Sequence, residues 1–392
     1  MLRLSQIIVI AIAVMACGCA GPNPVLWHGP NTTPSSLAAA RAANPHPVRP
    51  IAVEQIYVAT SRKPQKDLAL PYGSSRSNIL HFVRVDVGIP KAHKKGMVES
   101  TGFKPNPEKH FAAVAMQPYD DAHAFKAAIN AKLASKPKGQ KEVFLFVHGF
   151  NNNFADSTFR AAQLAYDYNI PAVSVHYSWP SAGSIGLYIY DHDSATFARD
   201  GLADLIDLIE HTDADRITIL AHSMGNYVLM EALRTLVLRG DTEATSKING
   251  LLLAAPDIDI DVFQKQLRDI KKMPKLTVVL VSKKDTALLI SGTLTGGHSR
   301  VGDGSSIDIL QRNGILVMDM SAVDGGEHSV FASSPTLMTL VADGRLSYQV
   351  LEGDEEKPGE AILADSASIV KGAASLILYT PARIISTVAD QD

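Results

Sequence analysis

Ser223 stands in the run Arg216-Ile217-Thr218-Ile219-Leu220-Ala221-His222-Ser223-Met224-Gly225-Asn226, an apolar strand pattern that stops at a serine and turns at once into a helix. A serine at such an elbow is pushed out of the backbone path, its hydroxyl exposed and the amides behind it free to donate. The chemistry this suits is nucleophilic attack. The pattern is G-x-S-x-G with Ala221 at the first small position, where strand and helix must cross closely. A serine between strand and helix also serves as a plain N-cap, so Ser223 by itself leaves both readings open. A hydroxyl is a weak nucleophile at neutral pH and needs a base beside it, and the base needs an acid to orient it. The ends of the other apolar runs supply candidates. His148-Gly149-Phe150-Asn151-Asn152-Asn153 follows Val147, Ser178-Trp179-Pro180 follows Tyr177, and Pro256-Asp257 follows Ala254. Ser282-Lys283-Lys284-Asp285 follows Val281, and Gly325-Gly326-Glu327-His328 lies beyond the last run.

The elements that must position these groups read as follows. Val53–Thr60, Ile79–Val87 and Phe111–Met116 are strand-like, and Ala122–Ala134 carries Phe125, Ala128, Ile129 and Leu133 on one helical face. Strands at Val143–Val147, Ala172–Tyr177, Ile217–Ala221, Ile248–Ala254, Leu276–Val281 and Ile315–Met318 then alternate with helical patterns, among them Phe154–Tyr166, Ser194–Glu210 and Met224–Leu236. In Ser194–Glu210 the residues Asp200, Asp204, Asp207 and Glu210 are expected to face outward. Strands apolar on both faces and separated by helices imply a mostly parallel sheet covered on both sides, in which reactive groups gather at the C-terminal strand ends. Two long segments at that edge, Ser181–Asp193 and Ser291–Ser306, are expected to cover the site as lids. The domain is expected over 51–345. A C-terminal extension follows over 346–392, with a strand-like piece at Leu346–Leu351 and a terminal helix around Ser375–Tyr379.

The serine, acid, histidine order is that of the α/β-hydrolases, and the chain resembles that superfamily, in particular a bacterial group of lipase/esterase-like proteins. The matching pieces are Tyr57-Val58-Ala59-Thr60, Val87-Gly88-Ile89-Pro90 with His93, FVHGFNN, Ser178-Trp179-Pro180, the Tyr190-Asp191 region, AHSMGN, AAPDID, KKD and Glu327-His328. They span roughly Ile51 to Gly344, and Ala221 in place of glycine is a departure common in the superfamily. The resemblance implies an α/β-hydrolase fold with Ser223 as nucleophile, His328 as base and Asp285 as acid after the penultimate strand. Asp257, one strand earlier, is the alternative acid, and His298 is a rival base. Asp259 and Asp261 are expected to be solvated or helix-capping, His148 structural, and His222 packed against the sheet. The negative charge of a tetrahedral intermediate needs fixed donors. The amides of Met224 and Phe150 are the candidates for this oxyanion hole, with Gly149 allowing close approach. The implied activity is hydrolysis of a small acyl ester through an acyl-enzyme. The alternatives are transfer to another acceptor by the same triad, and a non-catalytic envelope binding or scaffolding lipoprotein on the same fold.

The 392 residues, 46% hydrophobic and 20% charged, suffice for one large α/β domain, and a net charge of −3 gives no electrostatic reason to expect nucleic acid. Both cysteines, Cys17 and Cys19, lie near the N-terminus, which leaves the rest without a disulfide, a thiolate metal site or a cysteine nucleophile. No H-E-x-x-H or G-x-x-x-x-G-K-[ST] motif is present, so neither a metal nor a nucleotide cofactor is expected. Arg3 followed by the short apolar run Ile7–Ala16 and the two cysteines reads as a secretory signal over 1–19. It resembles a lipoprotein signal, with Cys17 or Cys19 as the lipidated residue. This implies export to a bacterial cell envelope and membrane attachment through the acyl chains, in the outer membrane. Residues 20–50, rich in Pro, Asn, Ala and Ser, are expected to form a flexible tether.

Overall fold

The computed structural model describes residues 23–43, 49–241, 245–342 and 376–379. Cys17, Cys19 and the strand-like piece at Leu346–Leu351 lie outside them. Ten strands form one sheet: β1 Ala52–Pro64, β2 Tyr72–Ile89, β3 Ala112–Tyr119, β4 Glu142–Val147, β5 Val173–Ser178, β6 Arg216–His222, β7 Ile248–Ala254, β8 Leu276–Val281, β9 Leu316–Asp319 and β10 Ile377–Tyr379. Their order is β10-β9-β8-β7-β6-β4-β5-β1-β2-β3. The pairings from β1 through β5, β4, β6, β7 and β8 to β9 are all parallel. The β1–β2, β2–β3 and β9–β10 pairs are antiparallel. This is the α/β-hydrolase architecture in a single domain, a mostly parallel sheet flanked by helices.

The continuous apolar runs become strands because both of their faces are covered. Side chains alternate across a strand, so Val143, Leu145 and Val147 of β4 enter one core and Phe144 and Phe146 the other. The first core is closed by Phe125, Ile129 and Leu133 of helix Ala122–Ala134, by Leu202, Leu205 and Ile209 of helix Tyr188–Glu210, and by Val228, Leu229 and Leu233 of helix Met224–Leu238. The second is closed by Phe154, Phe159 and Leu164 of helix Phe154–Asp167, together with Val330, Phe331 and Leu337. Helix starts are fixed locally. Asp121 caps the Ala124 amide at 2.7 Å, and Asn153 and Asp156 form a reciprocal capping box. Because β4 sits between β5 and β6, the chain reverses its direction of travel across the sheet at β4. In such sheets ligands bind at the C-terminal ends of the strands beside the reversal.

Four expectations need correction. The stretch 20–50 is in part folded, not a tether. Leu26 is fully buried, its amide donates to Ala69 O at 2.7 Å and its carbonyl accepts from Ala113 N at 3.0 Å. Residues Pro34–Ala43 of the same stretch form a helix with Leu37 buried. Burial of Val25, Leu26 and Trp27 supplies the apolar contact that the stretch's polar composition hides. Residues Ile377–Tyr379 form a strand paired with β9, not a terminal helix, since β9 offers an open edge. Glu210 faces inward, because Ser246 Oγ at 2.5 Å and Lys247 N at 3.1 Å hold its carboxylate. Neither expected lid is a free loop. The first is taken up by a short 3-10 turn, Ile185–Leu187, and the start of helix Tyr188–Glu210, and the second by helix Thr286–Leu294 and the turn Val301–Asp303. Among the described residues no helix is long and apolar enough to cross a membrane.

His93, one of the family-like positions, has its Nε2 2.9 Å from Asp167 and its Nδ1 2.9 Å from Glu99. Burial pushes the imidazole down, but the bonds to Asp167 and Glu99 outweigh it and raise it above its ordinary value of 6.5. A histidine raised in the folded state adds stability in full below its unfolded pKa, and that contribution is lost as pH rises through the folded one. The destabilisation by His93→Gln is therefore expected to be largest near about pH 5.5 and to shrink toward about pH 9. Urea denaturation across that range checks this, and a gap independent of pH would show that His93 is not held as a cation.

Candidate active site

At the end of β6 the backbone of Ser223 takes φ 52° and ψ −125°, a region sparsely populated by any residue with a side chain. The conformation is held from all sides. The Ser223 amide donates to Ala254 O at 3.0 Å, and its carbonyl accepts from Asn226 N at 3.0 Å, Asn226 Nδ2 at 3.1 Å and Asp257 N at 3.3 Å. Asn226, fully buried, also donates to Ala254 O at 3.0 Å, tying the elbow to β7. The small residues of the motif have distinct jobs. A Cβ at Gly225 would lie 2.3 Å from the His148 carbonyl oxygen, so the helix leaves against the backbone that follows β4. Ala221 is fully buried within the strand, where its methyl group is accommodated. The Ser223 hydroxyl makes no capping bond to the helix it precedes. The N-cap alternative therefore does not describe it.

The Gly149-Phe150 turn lies directly over the elbow. A Cβ at Gly149 would be 2.9 Å from Ser223 Cβ and 2.9 Å from His222 Nδ1. Among the described residues, neither the Phe150 nor the Met224 amide donates to a backbone or side-chain acceptor. Both remain available beside Ser223, as an oxyanion hole requires.

Asp285 and His328 come together. His328 Nδ1 stands 2.7 Å from Asp285 Oδ2, and the acid's side chain is fully buried. Asp285 is also the N-cap of helix Thr286–Leu294, with Oδ1 accepting from Leu288 N at 3.0 Å, so one oxygen is spent on fixing the carboxylate and the other faces the imidazole. Burial pushes the His328 imidazole down. The Asp285 carboxylate, by charge and by hydrogen bond, and the charge of Asp257 outweigh this and hold it above 6.5.

His222 does not simply pack on the sheet, as its place beside Ser223 suggested. Its Nε2 lies 3.1 Å from the His328 carbonyl oxygen and donates to it, with the ring centroids of His328 and Phe331 4.7 and 4.5 Å from its own. Burial and the neighbouring His328 hold His222 well below its ordinary value, so it stays neutral with the proton on Nε2. It ties the His328 loop to the elbow.

The alternative acid is engaged elsewhere. Asp257 accepts from Tyr188 Oη at 2.9 Å and Ser291 Oγ at 2.6 Å, with Arg300 Nε 3.4 Å away. These bonds join the two segments expected to be lids. Tyr188 also meets Phe150 edge to face at 5.4 Å. The rival base His298 is exposed and faces Asp259 at 3.5 Å. Asp259, Asp261 and His298 offer ligand atoms within 4.8 Å of one another, with Asp259 Oδ1 capping Asp261 N and Val262 N and Oδ2 facing His298. His148 is buried and stacked flat on Trp179 at 4.9 Å, and the Trp179 indole donates to its carbonyl at 2.6 Å.

No role for two charged residues was legible in the sequence, Arg62 being unremarked and Asp191 entering only with the Tyr190-Asp191 region. Arg62, at the end of β1, is 1% exposed, and Asp191 is fully buried. Both reach the loops around the site. Nothing local marks Arg62, since its partners lie 11 to 119 residues away along the chain.

A family profile described as an alpha/beta hydrolase of unknown function (DUF900) matches residues 121–345, more than half of the chain. No curated protein matches. Among solved structures, esterase B from Lactobacillus rhamnosis, in a tributyrin phosphonate complex, aligns at 10% identity over 94% of this chain and 99% of its own, with a TM-score of 0.39. An esterase from Pyrobaculum calidifontis aligns at 13% identity over 81% and 88%, with a TM-score of 0.32. One from Rhizomucor miehei aligns at 11% over 79% and 88%, also with a TM-score of 0.32.

Backbone strain at Ser223 predicts an order of stabilities. Glycine relieves a cost of about 1–3 kcal/mol that alanine retains, less about 0.5–1 kcal/mol of extra chain entropy. Ser223→Gly is expected to be more stable than Ser223→Ala by about 1 kcal/mol. Paired urea titrations test this, and equal or reversed stabilities would contradict the strained elbow.

Proposed function

The chain belongs to this α/β-hydrolase family of unknown function, and we propose that it is a serine hydrolase acting on a carboxylic ester through an acyl-enzyme at Ser223. The observation that carries the reading is the elbow itself: a serine at φ 52° whose hydroxyl is not spent on capping. Its support is the His328–Asp285 pair fastened to the same elbow through His222. His328 Nδ1 faces Asp285, so Nε2 is the nitrogen left for Ser223. In the first step Nε2 takes the hydroxyl proton as Ser223 Oγ bonds to the carbonyl carbon. The Phe150 and Met224 amides receive the oxyanion. The carbon–oxygen bond to the alcohol then breaks as His328 returns the proton to it. Water, activated by the same nitrogen, releases the acid and restores Ser223. Asp285 stabilises the transient imidazolium and stays ionised throughout.

A fluorophosphonate probe is expected to label Ser223 and no other serine, with labelling lost in Ser223→Ala and His328→Ala while circular dichroism stays native. Labelling that survives in Ser223→Ala would end the assignment.

The base must be neutral to accept a proton. With His328 raised above 6.5, the acid limb of kcat/KM lies above that value, and activity grows as pH rises through it. Asp285→Asn removes the first charge that raises the imidazole. The limb is expected to move to lower pH and kcat to fall by about 10⁴-fold. A limb left in place, measured on a soluble short-chain ester, would show that another carboxylate orients His328.

A further inference from the structure

The turn that carries the Phe150 amide is held between two buried opposite charges. Arg62 donates from Nη2 to the Asn152 carbonyl at 2.7 Å, from Nη1 to the Ser181 carbonyl at 2.8 Å and the Gly73 carbonyl at 3.2 Å, and from Nε to Ser178 Oγ at 3.0 Å. Asp191 accepts from Asn151 N at 3.2 Å, Ala182 N at 2.6 Å and Ser181 Oγ at 2.5 Å. Ser181 Oγ in turn lies 3.1 Å from Asn152 N. Each charge therefore grips both the 151–152 and the 181–182 backbone. Burial brings Arg62 down to about 10, which leaves it cationic near neutral pH.

The consequence reaches Phe150 through peptide geometry. In a trans peptide the N–H points opposite to the preceding C=O. The Gly149 carbonyl accepts from Asn152 Nδ2 at 3.3 Å and lies 2.8 Å from His148 Nδ1, and the Phe150 carbonyl accepts from the same Asn152 amide at 2.7 Å. Fixing the Gly149 oxygen fixes the opposite direction of the Phe150 N–H. Asn152 can hold these carbonyls only while its own backbone is held, which is what Arg62 and Asp191 do. Asn151 sits at φ 58° within this turn, a left-handed conformation that asparagine tolerates.

We propose that Arg62 and Asp191 are positioning residues for the reaction, a buried charge clamp that aims the Phe150 amide at the developing oxyanion. The inference rests on the serine-hydrolase reading of Ser223. Both residues are buried, Arg62 to 1% exposure and Asp191 fully. Burying two charges is expensive unless each is fully bonded, and here most of the bonds they make are to the main chain of residues 151–152 and 181–182.

The test uses the full chain and the variants Arg62→Lys and Asp191→Asn, with Asn152→Ala as a variant that uncovers no buried charge. An amide that acts only in the transition state affects kcat and leaves KM alone. A misaimed donor is expected to lower kcat per folded molecule by about 10²-fold, with KM within about twofold of wild type. A trifluoromethyl ketone, whose adduct with Ser223 carries the same oxyanion, is expected to lose affinity by the factor lost in kcat/KM. The acid limb set by His328 stays in place. A purely structural role would lower the folded fraction but leave kcat per folded molecule and inhibitor affinity unchanged, and that result in Asn152→Ala together with either charge variant overturns the clamp. If the charge variants do not fold, Asn152→Ala decides alone. Wild-type protein that neither turns over short-chain esters nor binds the ketone removes the hydrolase reading, and the clamp with it.

Discussion

The structure depends on one close approach of backbone to backbone. The helix that starts at Met224 leaves the sheet so near the end of β4 that the His148 carbonyl occupies the space where a side chain at residue 225 would be. From the other side, Gly149 lies where any Cβ would collide with Ser223. The two glycines let the elbow and the β4 loop share that volume. The nucleophile candidate and one candidate oxyanion donor are thus neighbours because of packing, not because of attraction between them. Close-packed interiors transmit such constraints stiffly, and Asn226, Ala254 and Asp257 lock the elbow in its strained conformation.

Around this contact the loops at the sheet's C-terminal edge are ordered by buried polar groups. Asp257 bridges Tyr188 and Ser291, so the segments Ser181–Asp193 and Ser291–Ser306 are bonded to each other through a carboxylate just after β7. Asp285 divides its two oxygens between a helix cap and His328. The His328 segment is also tied from behind, where Tyr168 Oη donates to Phe331 O at 2.5 Å and Gln163 Nε2 to Ala332 O at 3.1 Å. Loops are ordinarily the mobile part of such a fold. Here their carbonyls and amides are bonded to side chains fixed in strands and helices, which favours a preformed site over one assembled on binding.

Much of the fold was legible in the sequence, and for a specific reason. Central strands buried on both faces must be continuously apolar, so Val143–Val147, Ile248–Ala254 and Leu276–Val281 announced themselves within a residue of their bounds. The elbow was legible because small residues flank Ser223 at fixed spacing, and Asp285 and His328 because they follow strand ends in a familiar order. Elements whose partners lie far away in the chain were not legible. Residues 23–43 look like a linker until Leu26 is seen bonded to residues 69 and 113. Ile377–Tyr379 becomes a strand only because β9 has a free edge. The start of helix Tyr188–Glu210 was missed because its first turn carries exposed Ile189 beside buried Asp191, the reverse of what hydrophobic periodicity seeks.

The sequence by itself determined the alternation of strands and helices, the elbow and the short set of residues able to act there, because these are local patterns of volume, polarity and spacing. It favoured Asp285 over Asp257 as the partner of His328, and it placed His222 against the sheet where the structure turns it to the His328 carbonyl. It gave no hint that Arg62 and Asp191 would both bond to the turn that carries Phe150. Those were decided by the tertiary structure, for one physical reason. A buried charge or imidazole must find its partners wherever the packed backbone presents them, and those positions exist only once strands distant in sequence lie side by side.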